Sequence, residues 1–412
     1  VSEAVPVVPM TAEPSPSTSC AAQARSVFGD LPEPGAVWAS DRPELAAIRY
    51  EARRRIASPW AVLGAAIIRS LLTIPYAVRY RSALHPEGTP LNLAVALVGR
   101  SGAGKSTAIR GAACAVAFAG EDVPAPAAAR SGEGIATMLG RMHTAKDEPP
   151  ELVWARPDHA VWLHWDEVGQ LGEQGARTGS TVMESIKSVT SGESIGGQNA
   201  KGDGVTIPGG SYRAVLTVAV QPGRAGPLLS DGAVAGGLSA RFVWLVAEDP
   251  EAADAPRPTV EHPPVQVPLA QWDRVQYVDA LPEMDAAHEA DTRAAHRGER
   301  DPINSRVLLN RAIIAIALAN MAGRSALIDD DWHLAGAVLA HSLATLDAVA
   351  DVLAEPDDAE QVRAQRVEQR LRDRLADMQA QGLPFHEARR KLSRAQGDRL
   401  TELLHAAQFV PW

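Results

Sequence analysis

Leu91-Asn-Leu-Ala-Val-Ala-Leu-Val98-Gly-Arg-Ser-Gly-Ala-Gly-Lys-Ser106 decides the fold. Apart from Asn92, its first eight residues are aliphatic. A run of this kind, closed by glycine, reads as a strand buried on both faces of a parallel sheet. The second half, Gly99–Ser106, matches Gly-x-x-x-x-Gly-Lys-Ser/Thr at every fixed position. Glycines let backbone N–H groups curl around an anion. A helix expected from Lys105 to about Phe118 would point its positive end at that anion. In this pattern Lys105 reaches the β- and γ-phosphates of ATP and the Ser106 hydroxyl ligates Mg²⁺. Gly99, Ser101, Gly102, Ala103, Gly104 and Thr107 complete the cradle. The expected cofactors are therefore ATP and Mg²⁺.

Three further apolar runs follow. His159–Trp165 ends in Asp166-Glu167, Arg213–Val220 ends at Gln221, and Arg241–Ala247 ends at Glu248-Asp249. Strands alternating with helical stretches predict an α/β fold with a parallel sheet and a ligand at its carboxyl edge. The expected class is a P-loop NTPase core of RecA/AAA+ type. Asp166 is expected to hold the Mg²⁺ shell and Glu167 to polarise water for attack on the γ-phosphate. An activated water beside that phosphate disfavours a small-molecule kinase. A switch GTPase is disfavoured because Asn-Lys-x-Asp is absent.

Composition sets the outer limits. The 412 residues allow more than one domain. Aromatics make up 5%, so Ala, Leu and Val must build most of the core. The net charge of −10 does not exclude nucleic acid, because phosphate contact depends on local patches. Cys20 and Cys114 are the only cysteines, which argues against a disulfide scaffold and a zinc site. No secretory n- and h-region opens the chain, and Pro59–Val78 carries Arg69 within its apolar run, as a buried helix would. The expectation is cytoplasmic, without a membrane. Among 40 basic residues the lysines are Lys105, Lys146, Lys187, Lys201 and Lys391. Where so arginine-rich a chain places lysine, a compact ammonium is of use.

Composition and periodicity shift along the chain and predict separate regions. Residues 1–35 are a Pro/Ser/Ala-rich disordered tail. Residues 36–88 are helical, residues 89–250 form the ATPase core, and residues 251–300 are a linker with an exposed helix. Residues 301–356 hold two apolar-striped helices, Ser305–Ala322 and Asp330–Val352. Residues 357–412 form a basic, winged-helix-like domain. There, Arg389, Arg390, Lys391 and Arg394 lie within six positions, and those three to four residues apart share one helix face suited to DNA phosphates. The same stretch also pairs Glu387 with Lys391 and Arg394 with Asp398 at i,i+4 spacing, as a solvated helix would.

Between the acid pair and the third run lies a helix, Thr181–Val189, bearing Lys187. Ser191-Gly-Glu193 follows, then a hairpin around Gly202-Asp-Gly204 with Lys201. This order resembles superfamily 3 helicases. The closer likeness is to the ATPase module of replication proteins from actinobacterial phages and integrated elements. It is carried by Ser131-Gly-Glu-Gly134, Asp166-Glu-Val-Gly169, Ser191-Gly-Glu193, Val220-Gln-Pro222 and Arg241-Phe-Val-Trp-Leu245, and it spans Pro59–Pro250.

The resemblance implies an ATP-dependent DNA helicase or translocase working as a homo-oligomeric ring, a hexamer by preference. It implies Gln221 as the γ-phosphate sensor, where those proteins usually have Asn. It implies Lys187 and Lys201 facing single-stranded DNA in the ring's pore. It implies Arg241 as the arginine finger of the neighbouring subunit, with Arg213 and Arg224 as rivals. The basic C-terminal segment would add duplex DNA, and priming would need a separate primase. An ATP-regulated DNA-binding initiator or loader, or a protein-remodelling ATPase, remains the alternative. Glu133 either joins the ATP site or caps the helix after it.

Overall fold

In the computed structural model the described residues are 32–119, 122–143, 150–197, 204–268, 270–272 and 276–354, with isolated positions and the helix Phe385–Arg390 beyond them. The chain divides into two compact units, one up to Ala350 and one from Asp351. Most of the expected tail (1–35) and of the expected winged-helix-like domain (357–412) lies outside the described residues.

The long helices of the first unit are α1 (Pro43–Arg54), α2 (Pro59–Thr73), α3 (Lys105–Ala115), α4 (Gly132–Leu139), α5 (Val168–Gly175), α6 (Val182–Ser191), α7 (Pro282–His296), α8 (Val307–Met321) and α9 (Asp329–Ala354). Its strands are β1 (Arg79–Ser82), β2 (His85–Pro90), β3 (Leu93–Val98), β4 (Val116–Phe118), β5 (Gly140–His143), β6 (Glu151–Trp154), β7 (Ala160–Trp165), β8 (Ile195–Gly196), β9 (Thr206–Ile207), β10 (Arg213–Val220), β11 (Phe242–Val246), β12 (Val265–Val267) and β13 (Tyr277–Asp279).

The central sheet is parallel, in the order β11-β3-β10-β7. The two inner strands, β3 and β10, are buried at every position, as continuous apolar runs require. Alternation divides their side chains between two faces. Leu93, Val95 and Leu97 share one core with α2 and α8. α2 comes so close that a Cβ on Gly64 would lie 2.6 Å from Leu245. Helices α4, α5 and α6 pack against β7 or β10, so the sheet is flanked by helices. Ala127 bridges to Leu163 on the outer side of β7.

Two stretches depart from the sequence reading. Residues 79–88 were expected to be helical but lie in β1 and β2. Residues 251–300 were expected to be a linker with an exposed helix; α7 is a helix there, but β13 pairs with β1 and β12 pairs with β4. These strands are short and mostly solvated on one side, so their apolar signal is weak. The helix expected to reach Phe118 stops at Ala115, because Val116–Phe118 pairs with β12.

Helices α8 and α9 belong to the same compact unit as the sheet. On length and composition α9 could cross a membrane. Here Trp332, Leu334, Ala335, Ala337 and Val338 are buried in the core shared with α2. α9 also covers the open edge of β11. The Trp244 N–H donates to Ser342 Oγ at 2.8 Å, and the Val246 N–H donates to His341 Nε2 at 3.4 Å. Unpaired strand edges template aggregation unless covered, and these two side chains take up donors that no fifth strand satisfies. The His341 ring stacks on Trp60 with centroids 3.9 Å apart.

Ser342→Ala removes a buried acceptor and orphans the Trp244 N–H. A loss of about 1–3 kcal/mol in urea unfolding is expected, and an unchanged midpoint would contradict this edge role. A second expectation concerns pH. Burial pushes His341 down to about 4, and His288 likewise. Unfolded histidine titrates near about 6.5, so below that pH the unfolded chain binds protons that the fold refuses. Stability is complete above about pH 6.5 and is lost as pH falls towards 4. His341→Gln should flatten that decline, measured as unfolding midpoints between pH 7 and pH 4.5.

Candidate functional site

The loop between β3 and α3 is shaped by its glycines. Gly102 and Gly104 take φ of +85° and +79°, a region costly for any residue with a Cβ. Gly104 is the N-cap of α3 and has no side chain to cap it, so the first-turn N–H groups are left for an external acceptor. A Cβ on Gly99 would lie 2.9 Å from that of Ala103, which shows how tightly the loop curls. Lys105 folds back over it, its Nζ donating to the carbonyls of Gly99 (2.6 Å) and Arg100 (2.8 Å). Burial holds the Lys105 ammonium below its ordinary range, against the opposing pull of Glu248 and Glu167. Glu248, just beyond β11, clamps the loop by accepting from the Arg100 N–H at 2.6 Å and from its guanidinium at 3.1 and 3.2 Å. Those bonds hold the Glu248 carboxyl below its usual range.

The acid pair follows β7. Glu167 Oε1 accepts from Arg224 Nη1 at 2.5 Å and lies 3.5 Å from Gln221 Nε2. Asp166 Oδ1 is 3.0 Å from His164 Nε2. These carboxylates, residues Ser101–Thr107 and Gln221 line one cleft of ≈ 370 Å³. Three segments far apart in sequence thus converge at the carboxyl ends of neighbouring strands, the usual ligand position in such sheets.

Chemically, the cleft offers uncapped helix N–H groups and an ammonium for anionic oxygens. It also offers a hydroxyl and carboxylates for a hard cation, and a carboxylate–amide pair for a water. Ser106 and Asp166 are oxygen donors of the kind Mg²⁺ takes, and both line the cleft. Among the described residues no group of three or more His, Cys, Asp or Glu could cage a metal. Mg²⁺ is commonly held by one or two protein oxygens together with substrate phosphates.

The other expected site residues fall elsewhere. Arg241 was expected as a finger reaching a neighbouring subunit. Instead its guanidinium donates to Lys187 O, Gly237 O and Ser191 Oγ. Arg306 joins it, donating to Ser191 Oγ and Thr190 O. Two cations at the carboxyl end of α6 meet the negative pole of that helix. Of the rivals, Arg213 is wholly buried and donates to Pro75 O and Val78 O, whereas Arg224 is exposed beside Glu167. Lys187 pairs with Glu184 at 2.6 Å, its side chain 22% exposed, so an expected contact with DNA finds it engaged within α6. The expected hairpin has its stem in β8 and β9, while its tip with Lys201 lies outside the described residues, as do Lys391 and Arg394. Arg389 is exposed on the short helix that ends at Arg390. Glu133 is exposed in the first turn of α4, and Ser131 supplies the cap, accepting from Gly134 N at 3.0 Å.

Sequence reasoning passed over His164 and gave Arg224 only a rival's place. The available signals were a His and a Thr in buried apolar strands, and an arginine three residues past Gln221. A scan of the chain against protein-family models returns no match, and a search of curated proteins returns none.

Inorganic tripolyphosphate should raise the melting midpoint of the protein, with stabilisation of about 2.7 kcal/mol at a hundredfold excess over Kd. Lys105→Ala and Gly104→Val should abolish the shift. An equal shift in both variants would place the anion site elsewhere.

Proposed function

We propose that the chain is a P-loop ATPase of RecA/AAA+ type that works as a DNA helicase or translocase in phage or mobile-element replication. The observation that carries the ATPase reading is the convergence of Gly99–Thr107, Asp166-Glu167 and Gln221 on one cleft. The strand between the loop and the acid pair matters. With β10 inserted between β3 and β7, their ends stand two strand spacings apart, about 9.5 Å. That leaves room for a terminal phosphate and an attacking water between the two strand ends.

In this reading the Gly99–Ser106 backbone and the N-terminus of α3 bind the phosphates. Lys105 gives up its two carbonyl partners to meet the β- and γ-oxygens. Ser106 and Asp166 would hold Mg²⁺, which supplies charge neutralisation at the phosphate oxygens when bound. Glu167 exchanges Arg224 for water, takes its proton as the water adds to the γ-phosphorus, and ADP departs. Gln221, beside Glu167, orients that water and senses the γ-phosphate.

Support for a motor comes from the connections of β10. Its carboxyl end carries Gln221, and its start is tied to the hairpin and to α6. The Tyr212 hydroxyl donates to Glu193 O at 2.6 Å, and Gly210 N donates to Gly192 O at 2.8 Å. A small shift of β10 on loss of the γ-phosphate would therefore reach the hairpin that carries Lys201. Single-stranded DNA is the track proposed for it, with subunits assembled as a ring, a hexamer by preference. Arg241 is hydrogen-bonded within its own subunit, and to serve in trans it would exchange those partners for the neighbour's phosphate.

The test is ATP hydrolysis by the full chain with and without single-stranded DNA. Wild type should be strongly stimulated by DNA, and Lys105→Ala should be inactive. Glu167→Gln should keep ATP binding while kcat falls about 10²–10⁴-fold. Turnover indifferent to DNA would contradict the motor and leave an ATPase of another kind. Turnover intact in Lys105→Ala would contradict the ATP site.

A further inference from the structure

Two buried strands carry polar residues at matched positions. Thr217 of β10 and His164 of β7 are direct register partners. Thr217 is wholly buried and Trp162 nearly so, while the His164 side chain is 13% exposed. The Trp162 indole N–H, which can only donate, donates to Thr217 Oγ1 at 2.9 Å. That hydroxyl lies 2.8 Å from His164 Nδ1, and His164 Nε2 lies 3.0 Å from Asp166 Oδ1.

For a neutral ring, one hydrogen pattern satisfies all three contacts. Thr217 accepts from Trp162 and gives its own hydrogen to Nδ1, so Nδ1 is unprotonated and Nε2–H donates to the Asp166 carboxylate. The other neutral tautomer would set an Nε2 lone pair against carboxylate lone pairs. Asp166 itself is 77% exposed, and a carboxylate so exposed at a strand end gains little orientation from packing. The buried relay supplies it. Oδ1 is held by His164, and Oδ2 has no hydrogen-bond partner among the described residues.

We infer that His164 is a positioning residue: through Nε2–H it fixes the Asp166 carboxylate that would hold the divalent cation accompanying ATP. This rests on the ATPase reading above. Partners one shell out from a metal set ligand direction, and their loss typically costs 10–100-fold in metal affinity. The role separates cation affinity from nucleotide affinity, because the phosphate loop is on another strand.

The full chain is loaded with a non-hydrolysable ATP analogue and titrated with Mn²⁺, free Mn²⁺ being read by electron paramagnetic resonance. Nucleotide affinity is measured in parallel in EDTA. His164→Phe should weaken Mn²⁺ binding 10–100-fold and leave nucleotide affinity in EDTA unchanged. His164→Gln, whose amide N–H can donate to Asp166, should recover most of the loss. Should His164→Phe fail to fold, Thr217→Val removes the hydroxyl that fixes the ring and should weaken Mn²⁺ in the same direction. Wild-type Mn²⁺ affinity in these variants would overturn the inference, as would equal losses in the Phe and Gln variants. If wild type binds no nucleotide with or without metal, the ATPase reading fails and takes the inference with it. That failure is distinct, because it is seen before any variant is made.

Discussion

Strand β10 is hydrogen-bonded to β3 along one edge and to β7 along the other, and the geometry of the site follows from those two ladders. Val220 stands opposite Val98, the residue before the loop, and Val218 stands opposite Trp165, the residue before the acid pair. The loop, the acids and Gln221 are therefore set side by side by backbone pairing, before any side chain is chosen. Parallel pairing needs crossover connections, and the helices that supply them bury the sheet. A one-residue slip of β10 against β7 would move Thr217 away from His164 and turn each of its core side chains to the opposite face.

The charged groups of the cleft are bonded to neighbours within the chain. Lys105 donates to loop carbonyls, Arg100 is held by Glu248, and Glu167 is held by Arg224. In the proposed reaction Lys105 and Glu167 exchange these partners for ligand atoms, while the Arg100–Glu248 clamp can stay. Exposed ion pairs are individually weak. The Arg224–Glu167 pair, with Arg224 61% exposed, is thus a contact that binding could displace at little cost. Asp166 differs, because its partner His164 is anchored by buried groups and need not leave.

The parts of the fold legible in the sequence were those with a one-dimensional signature. β3, β7, β10 and β11 read as strands because doubly buried parallel strands are continuous apolar runs. The tight turn after β3 was legible because its glycines, Gly102 and Gly104, take positive φ. What failed to read was what depends on distant partners. β1 and β13 exist through each other's pairing, β12 exists through its pairing with β4, and all three carry mixed polarity. Arg241 looked available because the sequence shows an arginine before a strand but not the end of α6 beside it. His164 was silent because its meaning lies in a cross-strand register with Thr217. Lys201 and the basic residues Lys391 and Arg394 were readable as charge, and the described residues stop short of them.

The central claim is that three separate stretches of chain form one nucleotide site. Amide hydrogen exchange of the full protein, with and without Mg·ATP, tests it most directly. The account predicts joint protection of peptides covering Gly99–Thr107, Asp166-Glu167 and Gln221–Arg224, lost together in Lys105→Ala. Protection confined to other segments, or protection of these peptides that survives in Lys105→Ala, would contradict it.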